Sequence, residues 1–180
     1  MKMRNSILVL GLCLALGACG FKPLYGTGDD GGPQTGLAHV TIPEPGDRFT
    51  QLIRNELLSS MAAPGSDGAG LYRLELRQTR ATPAVIRSKA GLNQREMVEA
   101  TVTFRLVDSR SGELLKEGRT FANIPFDRVG SEETDTPDAQ VNSEFANVQA
   151  EANAGERAAI QVADDIRTRL AVYFAANPTP

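Results

Sequence analysis

Apolar residues recur along the chain with two different spacings, and these spacings predict the order of its helices and strands. Residues 37–42 alternate and are rich in β-branched side chains, which predicts a short strand that Pro43 and Pro45 end. In the next stretch apolar residues return every three or four positions, as on one face of a helix, and Asp47 is placed to cap that helix. The predicted face consists of Phe49, Leu52, Ile53, Leu57 and Met61.

Strict alternation of apolar and polar residues follows in two longer stretches, residues 71–80 and 96–107, and predicts half-buried antiparallel strands. The inward residues are Tyr72, Leu74, Leu76, Val98, Ala100, Val102, Phe104 and Leu106. Residues 108–112 have the composition of a hairpin turn. We therefore expect a fourth strand at about residues 114–124, with Gly118 as a candidate bulge.

Pro125 is predicted to end the fourth strand, and an acidic loop over residues 127–138 separates it from a long helix over residues 139–176. Apolar and small residues spaced by three and four form a nearly continuous stripe along this helix. The stripe consists of Phe145, Val148, Ala152, Gly155, Ala159, Val162, Ile166, Leu170 and Tyr173. Residues 177–180 are predicted to be a disordered tail.

These elements follow in the order β-α-β-β-β-α, which predicts an α+β fold. A sheet of about four strands, mainly antiparallel and covered on one face by two helices, buries every apolar stripe at once. Neither a repeat nor a domain-sized break interrupts residues 37–176. We expect a single domain there, because that length allows a substantial core.

The N-terminus has the layout of a bacterial lipoprotein signal peptide. Lys2 and Arg4 precede an apolar run over residues 6–16, which is shorter than the ~20 residues that span a bilayer. Small residues then precede the cysteine in Leu-Gly-Ala-Cys, which ends at Cys19. We expect residues 1–18 to be removed and Cys19 to carry acyl chains such as palmitate, because two or more chains anchor a protein stably.

The alternative is an ordinary secretory signal with Cys19 as a structural thiol. Under the lipoprotein interpretation, the glycine-rich residues 19–36 form a flexible tether. Processing would also remove Cys13, so no pair of thiols would remain for a disulfide. The processed chain would hold 17 basic and 22 acidic residues, a net charge of −5, which argues against a nucleic-acid binder.

Catalytic and metal-binding residues are scarce in this sequence. His39 is the sole histidine, and no serine lies in a nucleophile-elbow motif. A group of acidic residues lacks the spacing and the glycine of a calcium-binding loop: Glu132, Glu133, Asp135 and Asp138. We therefore predict neither an enzyme nor a bound metal or cofactor.

A basic segment is the most informative polar feature. It contains six basic residues and a single acid, Glu75, and the basic residues are Arg73, Arg77, Arg80, Arg87, Lys89 and Arg95. Arginine and lysine donate charge-assisted hydrogen bonds to phosphate, so a phosphorylated amphiphile is a suitable ligand. The candidate ligand-binding residues are Arg77, Arg80, Arg87, Lys89 and Arg95. The alternative is a solvated strand face with no ligand.

The signal sequence runs into Cys-Gly-Phe-Lys-Pro-Leu-Tyr-Gly at residues 19–26. With the β-α-β-β-β-α order behind it, the chain resembles the lipopolysaccharide-assembly lipoprotein family LptE in its alphaproteobacterial form. This resemblance implies a non-enzymatic outer-membrane lipoprotein on the periplasmic side, inserted into the lumen of the β-barrel LptD. It also implies help in assembling that barrel, and lipopolysaccharide as a ligand. Gly20 is compatible with sorting to the outer membrane.

Two other functions compete with this one. An adaptor or pilotin of another envelope complex would share the anchor and the small domain without a barrel-sized partner. A lipid-anchored hydrolase would need a polar cluster in a cleft, which the sequence does not supply.

Overall fold

The computed structural model describes residues 33–61, 70–82, 84–87, 93–129 and 137–177, with the backbone alone at 84–87, 93–94, 129 and 137–140. The predicted signal peptide, Cys19 and residues 178–180 lie outside these ranges. The described elements, in chain order, are α1 (Pro33–Ala38), β1 (Val40–Thr41), α2 (Arg48–Met61), β2 (Tyr72–Ala81), β3 (Ala84–Arg87), β4 (Asn93–Asp108), β5 (Leu114–Val129) and α3 (Pro137–Ala176).

Strand β4 is the centre of the sheet. Along one edge it pairs with β5, and along the other it pairs first with β3 and then with β2, all antiparallel. Strand β1 adds a short parallel pairing to β2. The five strands therefore occupy four positions across the sheet, which confirms the predicted α+β fold with a mainly antiparallel sheet.

The predicted strand at residues 37–42 is wrong at its start. Helix α1 occupies Pro33–Ala38, and only Val40–Thr41 pair as a strand. Leu37 is buried, and a Cβ at Gly36 would collide with the ring of Phe174. Long-range packing against the end of α3 thus favours a helical turn here, and this turn begins within the range predicted as a tether.

The predictions for the fourth strand need two corrections. The bulge lies where Leu106 and Val107 face β5, whereas Gly118 pairs regularly with Phe104. A Cβ at Gly118 would strike the Phe104 ring, so the glycine makes room for an aromatic side chain. Strand β5 also continues through Pro125 to Val129, because β5 pairs only with β4 among the described strands and an edge strand tolerates proline.

Helix α2 matches its prediction closely. It runs over Arg48–Met61, and the backbone N–H of Thr50 donates a hydrogen bond of 2.9 Å to Oδ1 of Asp47, which caps the helix. Burial raises the pKa of the Asp47 carboxyl, but hydrogen bonds from Thr50, Gln78 and the Phe49 backbone outweigh it and leave the pKa below its ordinary value. The buried apolar residues of α2 are Phe49, Ile53, Leu57 and Met61.

Helices α2 and α3 cover the inner face of the sheet and form the core with it. The largest fully buried side chains are Phe104, Phe174, Leu37, Ile53, Leu57, Leu74, Leu106, Ile166, Leu170, Val98, Val102 and Val162. The inward residues predicted for the two alternating strands all face this side, although Tyr72 and Leu76 are only half-buried.

The predicted stripe on the long helix is wrong in its N-terminal part. Phe145 and Val148 are 66% and 53% exposed, whereas Asn147 is 8% exposed. Arg80 explains where the change occurs: it lies 5.6 Å over the ring of Phe49 in the first turn of α2, and it packs beside Gly155. Helix α2 thus meets α3 near Gly155, and no other described helix continues along α3 toward its N-terminus.

Candidate ligand-binding face of the sheet

The outer face of the sheet is the candidate site, because no described helix covers it. Alternation along β2, β4 and β5 brings outward side chains together in rows that cross the three strands. Successive rows contain Glu75, Arg105 and Glu117; then Arg77, Thr103 and Arg119; then Thr79, Thr101 and Phe121.

Several basic residues of this face are paired with acids. Glu75 accepts ion pairs from Arg73 at 3.2 Å and from Arg105 at 3.8 Å. Arg95 donates to Asp127 at 2.9 Å, and this hydrogen bond raises the pKa of Arg95 and lowers that of Asp127. The start of the predicted acidic loop at residues 127–138 thus belongs to strand β5, which runs to Val129. Residues 130–136 of the predicted loop lie outside the described ranges, and its last two residues begin α3.

Arg77 and Arg119 differ from these paired cations. Both are exposed, and neither forms an ion pair with another residue that the structure describes. They flank Thr103 from the two neighbouring strands, which places their Cα atoms ~10 Å apart. Two guanidinium groups on either side of a hydroxyl can bind an oxyanion such as a phosphate group.

An exposed aromatic residue lies in the row next to this pair. Phe121 is 67% exposed and faces Thr101 across the strand boundary. Among the described residues, the face therefore offers two cations without an ion pair beside an apolar ring, which suits a ligand that carries both phosphate and hydrocarbon. Each exposed contact is weak and screened by salt, so binding requires that the contacts act together.

The structure separates the basic residues that the sequence grouped. Arg80 projects from the opposite face to Arg77, and its Nη2 pairs with Oε1 of Glu151 at 3.2 Å. Arg95 shares the outer face but lies eight residues along β4 from Thr103, or ~27 Å. Arg87 is described only as backbone of β3, and Lys89 lies outside the described residues.

Arg119 is the residue that sequence reasoning missed. It lies in the predicted fourth strand at an outward position, so its exposure was readable from the sequence. Its proximity to Arg77 depends on the register of β4 with both neighbours, which the sequence does not specify.

A shallow cavity of about 230 Å³ lies between β5 and α3 on the other face. Its wall includes Phe104, Gly118 and Val172, with Lys116 and Arg169 among its polar residues. Arg169 forms an ion pair of 2.8 Å with Asp165, four residues earlier on the same helix. The cavity lies between two elements that pack against each other, and its walls do not bring a group of catalytic side chains together.

Within the described ranges, no cluster of histidine, cysteine, aspartate or glutamate could hold a metal ion. The helices in those ranges are also too short or too polar to cross a membrane.

Comparison with protein families gives a match to the model of LptE, lipopolysaccharide-assembly, over residues 34–170. No match was found among curated proteins. Among solved structures, a lipoprotein from Caulobacter crescentus CB15 is 24% identical, covers 79% of this chain and 96% of its own, and superposes with a TM-score of 0.56. This likeness supports the fold.

Two further structures align less closely. A minor lipoprotein from Acinetobacter baumannii is 17% identical over 74% of this chain and 88% of its own, with a TM-score of 0.47. The rare lipoprotein B from Shewanella oneidensis is 14% identical over 77% of this chain and 92% of its own, with a TM-score of 0.42.

Proposed function

Because this chain belongs to the LptE family of lipopolysaccharide-assembly proteins, we propose that it inserts into the lumen of an LptD-like β-barrel in the outer membrane. There it would assist barrel assembly and the passage of lipopolysaccharide to the cell surface. The family match over residues 34–170 is the observation that carries this proposal.

The dimensions of the domain are compatible with this role. Helix α3 has 40 residues and is ~60 Å long, and β4 and β5 have 16 residues each, or ~54 Å. These three elements pack along one another and give an elongated body, longer than the ~40–45 Å thickness of a bilayer. Such a body can extend along the axis of a large barrel.

The anchor completes the arrangement. A lipidated Cys19 would hold the chain at the periplasmic face of the membrane, and the 14 residues from there to Pro33 can span at most ~50 Å. That reach allows the domain to enter a barrel while its acyl chains stay in the leaflet.

Lipopolysaccharide is the ligand that we assign to the outer face of the sheet. Arg77 and Arg119 would bind a phosphate group over Thr103, and Phe121 would contact an acyl chain. Replacing both arginines by glutamine should weaken lipopolysaccharide binding about tenfold, whereas Arg110→Gln on the hairpin turn should leave it unchanged. Equal binding by all three proteins would remove this face from the proposal.

Co-purification tests the central assignment. The full-length, affinity-tagged chain would be expressed in a Gram-negative host that encodes an LptD of the same subgroup and recovered from detergent-solubilised envelopes. We expect a stoichiometric β-barrel of the LptD family in the eluate. Recovery of a different envelope complex instead would support the adaptor or pilotin alternative.

A Cys19→Ala variant serves as the matched control for the anchor. It should not incorporate labelled palmitate, because the other cysteine, Cys13, lies within the apolar run and not at the end of the Leu-Gly-Ala-Cys motif. Labelling at the wild-type level would contradict the lipidation of Cys19.

A further inference from the structure

The N-terminal third of α3 combines apolar surface with negative charge. Between Arg128 and Arg157 lie 28 residues with no lysine or arginine. The same interval contains seven acids: Glu132, Glu133, Asp135, Asp138, Glu144, Glu151 and Glu156. In the described part of this interval, Glu151 is paired with Arg80, and the exposed carboxylates of Glu144 and Glu156 leave a local negative charge.

This part of the helix also exposes its apolar face. Val141, Phe145 and Val148 form what we call the α3 stripe, and they are 67%, 66% and 53% exposed. Their spacing of four and three residues places them on one side of the helix. On the opposite side, toward the sheet, lies the buried Asn147. The usual arrangement of an amphipathic helix is thus reversed here.

The polar interior beneath this region explains why the reversed arrangement is stable. Helix α3 runs antiparallel to β5, since Arg157 donates a hydrogen bond to the carbonyl of Pro125 while Thr168 shares a cavity with Gly118. Its N-terminal third therefore lies toward the end of β5, where Glu96 is 8% exposed and pairs with Arg128 at 3.2 Å. Polar groups at this end of the sheet suit the amide of Asn147 better than a phenyl ring.

The negative charge near the stripe indicates which kind of ligand could cover it. At 100° per residue, Glu144 lies beside the stripe at one edge, and Glu156 continues the other edge about 12 Å beyond Val148; both are exposed. An anionic lipid surface or the phosphates of lipopolysaccharide would be repelled by these carboxylates. A peptide segment with apolar and basic side chains would bury the stripe and pair with both acids.

We propose that the α3 stripe, with Glu144 and Glu156, is a docking surface for a basic segment of a partner protein that presents apolar side chains. Anchors at i, i+4 and i+7 are the pattern by which one helical face packs against an apolar groove or helix. The flanking acids would accelerate association in a salt-dependent manner and fix the register of the pair. This inference holds for any partner of that chemistry and does not depend on the barrel assignment.

Photo-crosslinking of the full-length chain in its own envelope tests the proposal. Phe145→p-benzoylphenylalanine would be irradiated in cells, and the crosslinked peptide would be identified by mass spectrometry. The matched control is Val172→p-benzoylphenylalanine, which is at a similarly exposed valine on the same helix but outside the acidic region. We expect a partner peptide of net positive charge with apolar residues from position 145 and a different product, or none, from position 172.

Charge reversal makes the test specific. Glu144→Lys with Glu156→Lys should lower the yield of that crosslink at least fivefold, whereas Glu113→Lys on the exposed hairpin turn should not change it. A neutral or acidic partner peptide, a crosslink only to lipid, no crosslink, or a yield insensitive to charge reversal would overturn the proposal.

Two other occupants are distinguished in the same experiment. A crosslink to residues 83–92 of this chain would show that its own basic segment covers the stripe, and a crosslink to a second copy would show self-association; either result overturns the proposal.

The melting temperature gives an independent check. Phe145→Gln should shift it by less than about 2 °C if the stripe is free in the isolated protein, and a larger drop would show internal coverage.

Discussion

The two ends of α3 bury opposite kinds of residue. In the C-terminal two thirds, Val162, Ile166 and Leu170 are fully buried between the sheet and α2. In the N-terminal third, Asn147 is buried and Phe145 is exposed. Helical periodicity therefore identifies an apolar face without showing that the domain itself covers it. Coverage depends on where α2 begins, which is near Gly155.

The largest expected effect comes from the same substitution at the two ends of the helix. Phe174→Ala removes a ring that is 1% exposed and should lower the free energy of unfolding by about 3–5 kcal/mol. Phe145→Ala removes one that is 66% exposed and should change it by less than about 0.5 kcal/mol. Urea unfolding followed by circular dichroism measures both. Similar losses of unfolding free energy in the two variants would contradict the difference in burial between the two ends of the helix.

A smaller effect tests how closely the C-terminal end is packed. Alanine normally stabilises a helix relative to glycine, but a Cβ at Gly36 would collide with the ring of Phe174. We therefore expect Gly36→Ala to destabilise the protein by about 1–3 kcal/mol. Gly46→Ala is the control, because no atom beyond the adjacent residues lies within 4 Å of a Cβ there. A stabilised Gly36→Ala variant in thermal unfolding would show that this contact is loose.

The smallest effect concerns the start of α2, which is the boundary between the two regions. The folded state lowers the pKa of Asp47, so its contribution to stability is present above the unfolded pKa near 3.8 and is lost as the pH falls through the folded value. Asp47→Asn keeps a capping side chain, and Asp47→Ala should cost about 1 kcal/mol at neutral pH.

Unfolding measured from pH 7 to pH 2 separates the contribution of the Asp47 negative charge from that of the capping hydrogen bond. The asparagine variant should match the wild type at neutral pH and lose less stability in acid. If both proteins show the same acid dependence, the Asp47 carboxylate is not the group that titrates.

Much of the fold could be predicted because the apolar pattern is regular where an element packs on one side only. Strand β4 and helix α2 are of this kind, and their inward residues were identified correctly. Helix α1 could not be predicted, since its formation depends on Leu37 and Gly36 meeting Phe174 at the other end of the chain. Gly118 was misread for a similar reason: its role is to admit the ring of Phe104, and that contact requires the register of two strands.

The candidate site was only partly readable. Sequence position grouped Arg77 with Arg80, whereas strand alternation places them on opposite faces and Arg80 is held by Glu151. Arg77 and Arg119 are 42 residues apart in sequence and lie on the two strands that flank β4. Their proximity follows from the register of the three strands alone. Charge within a segment is therefore a weaker guide to a binding face than outward position within a sheet.

Amide hydrogen exchange along α3 tests directly whether its N-terminal third is uncovered in the isolated domain and covered by a partner. It would be measured on the full-length chain in detergent, alone and in the complex recovered from envelopes. We predict strong protection of residues 158–174 in both states, because these amides belong to the core. Residues 141–152 should exchange faster in the chain alone and become protected in the complex. Equal protection of both regions in the chain alone would contradict an uncovered N-terminal third, and no gain of protection at residues 141–152 in the complex would contradict its role as a docking surface.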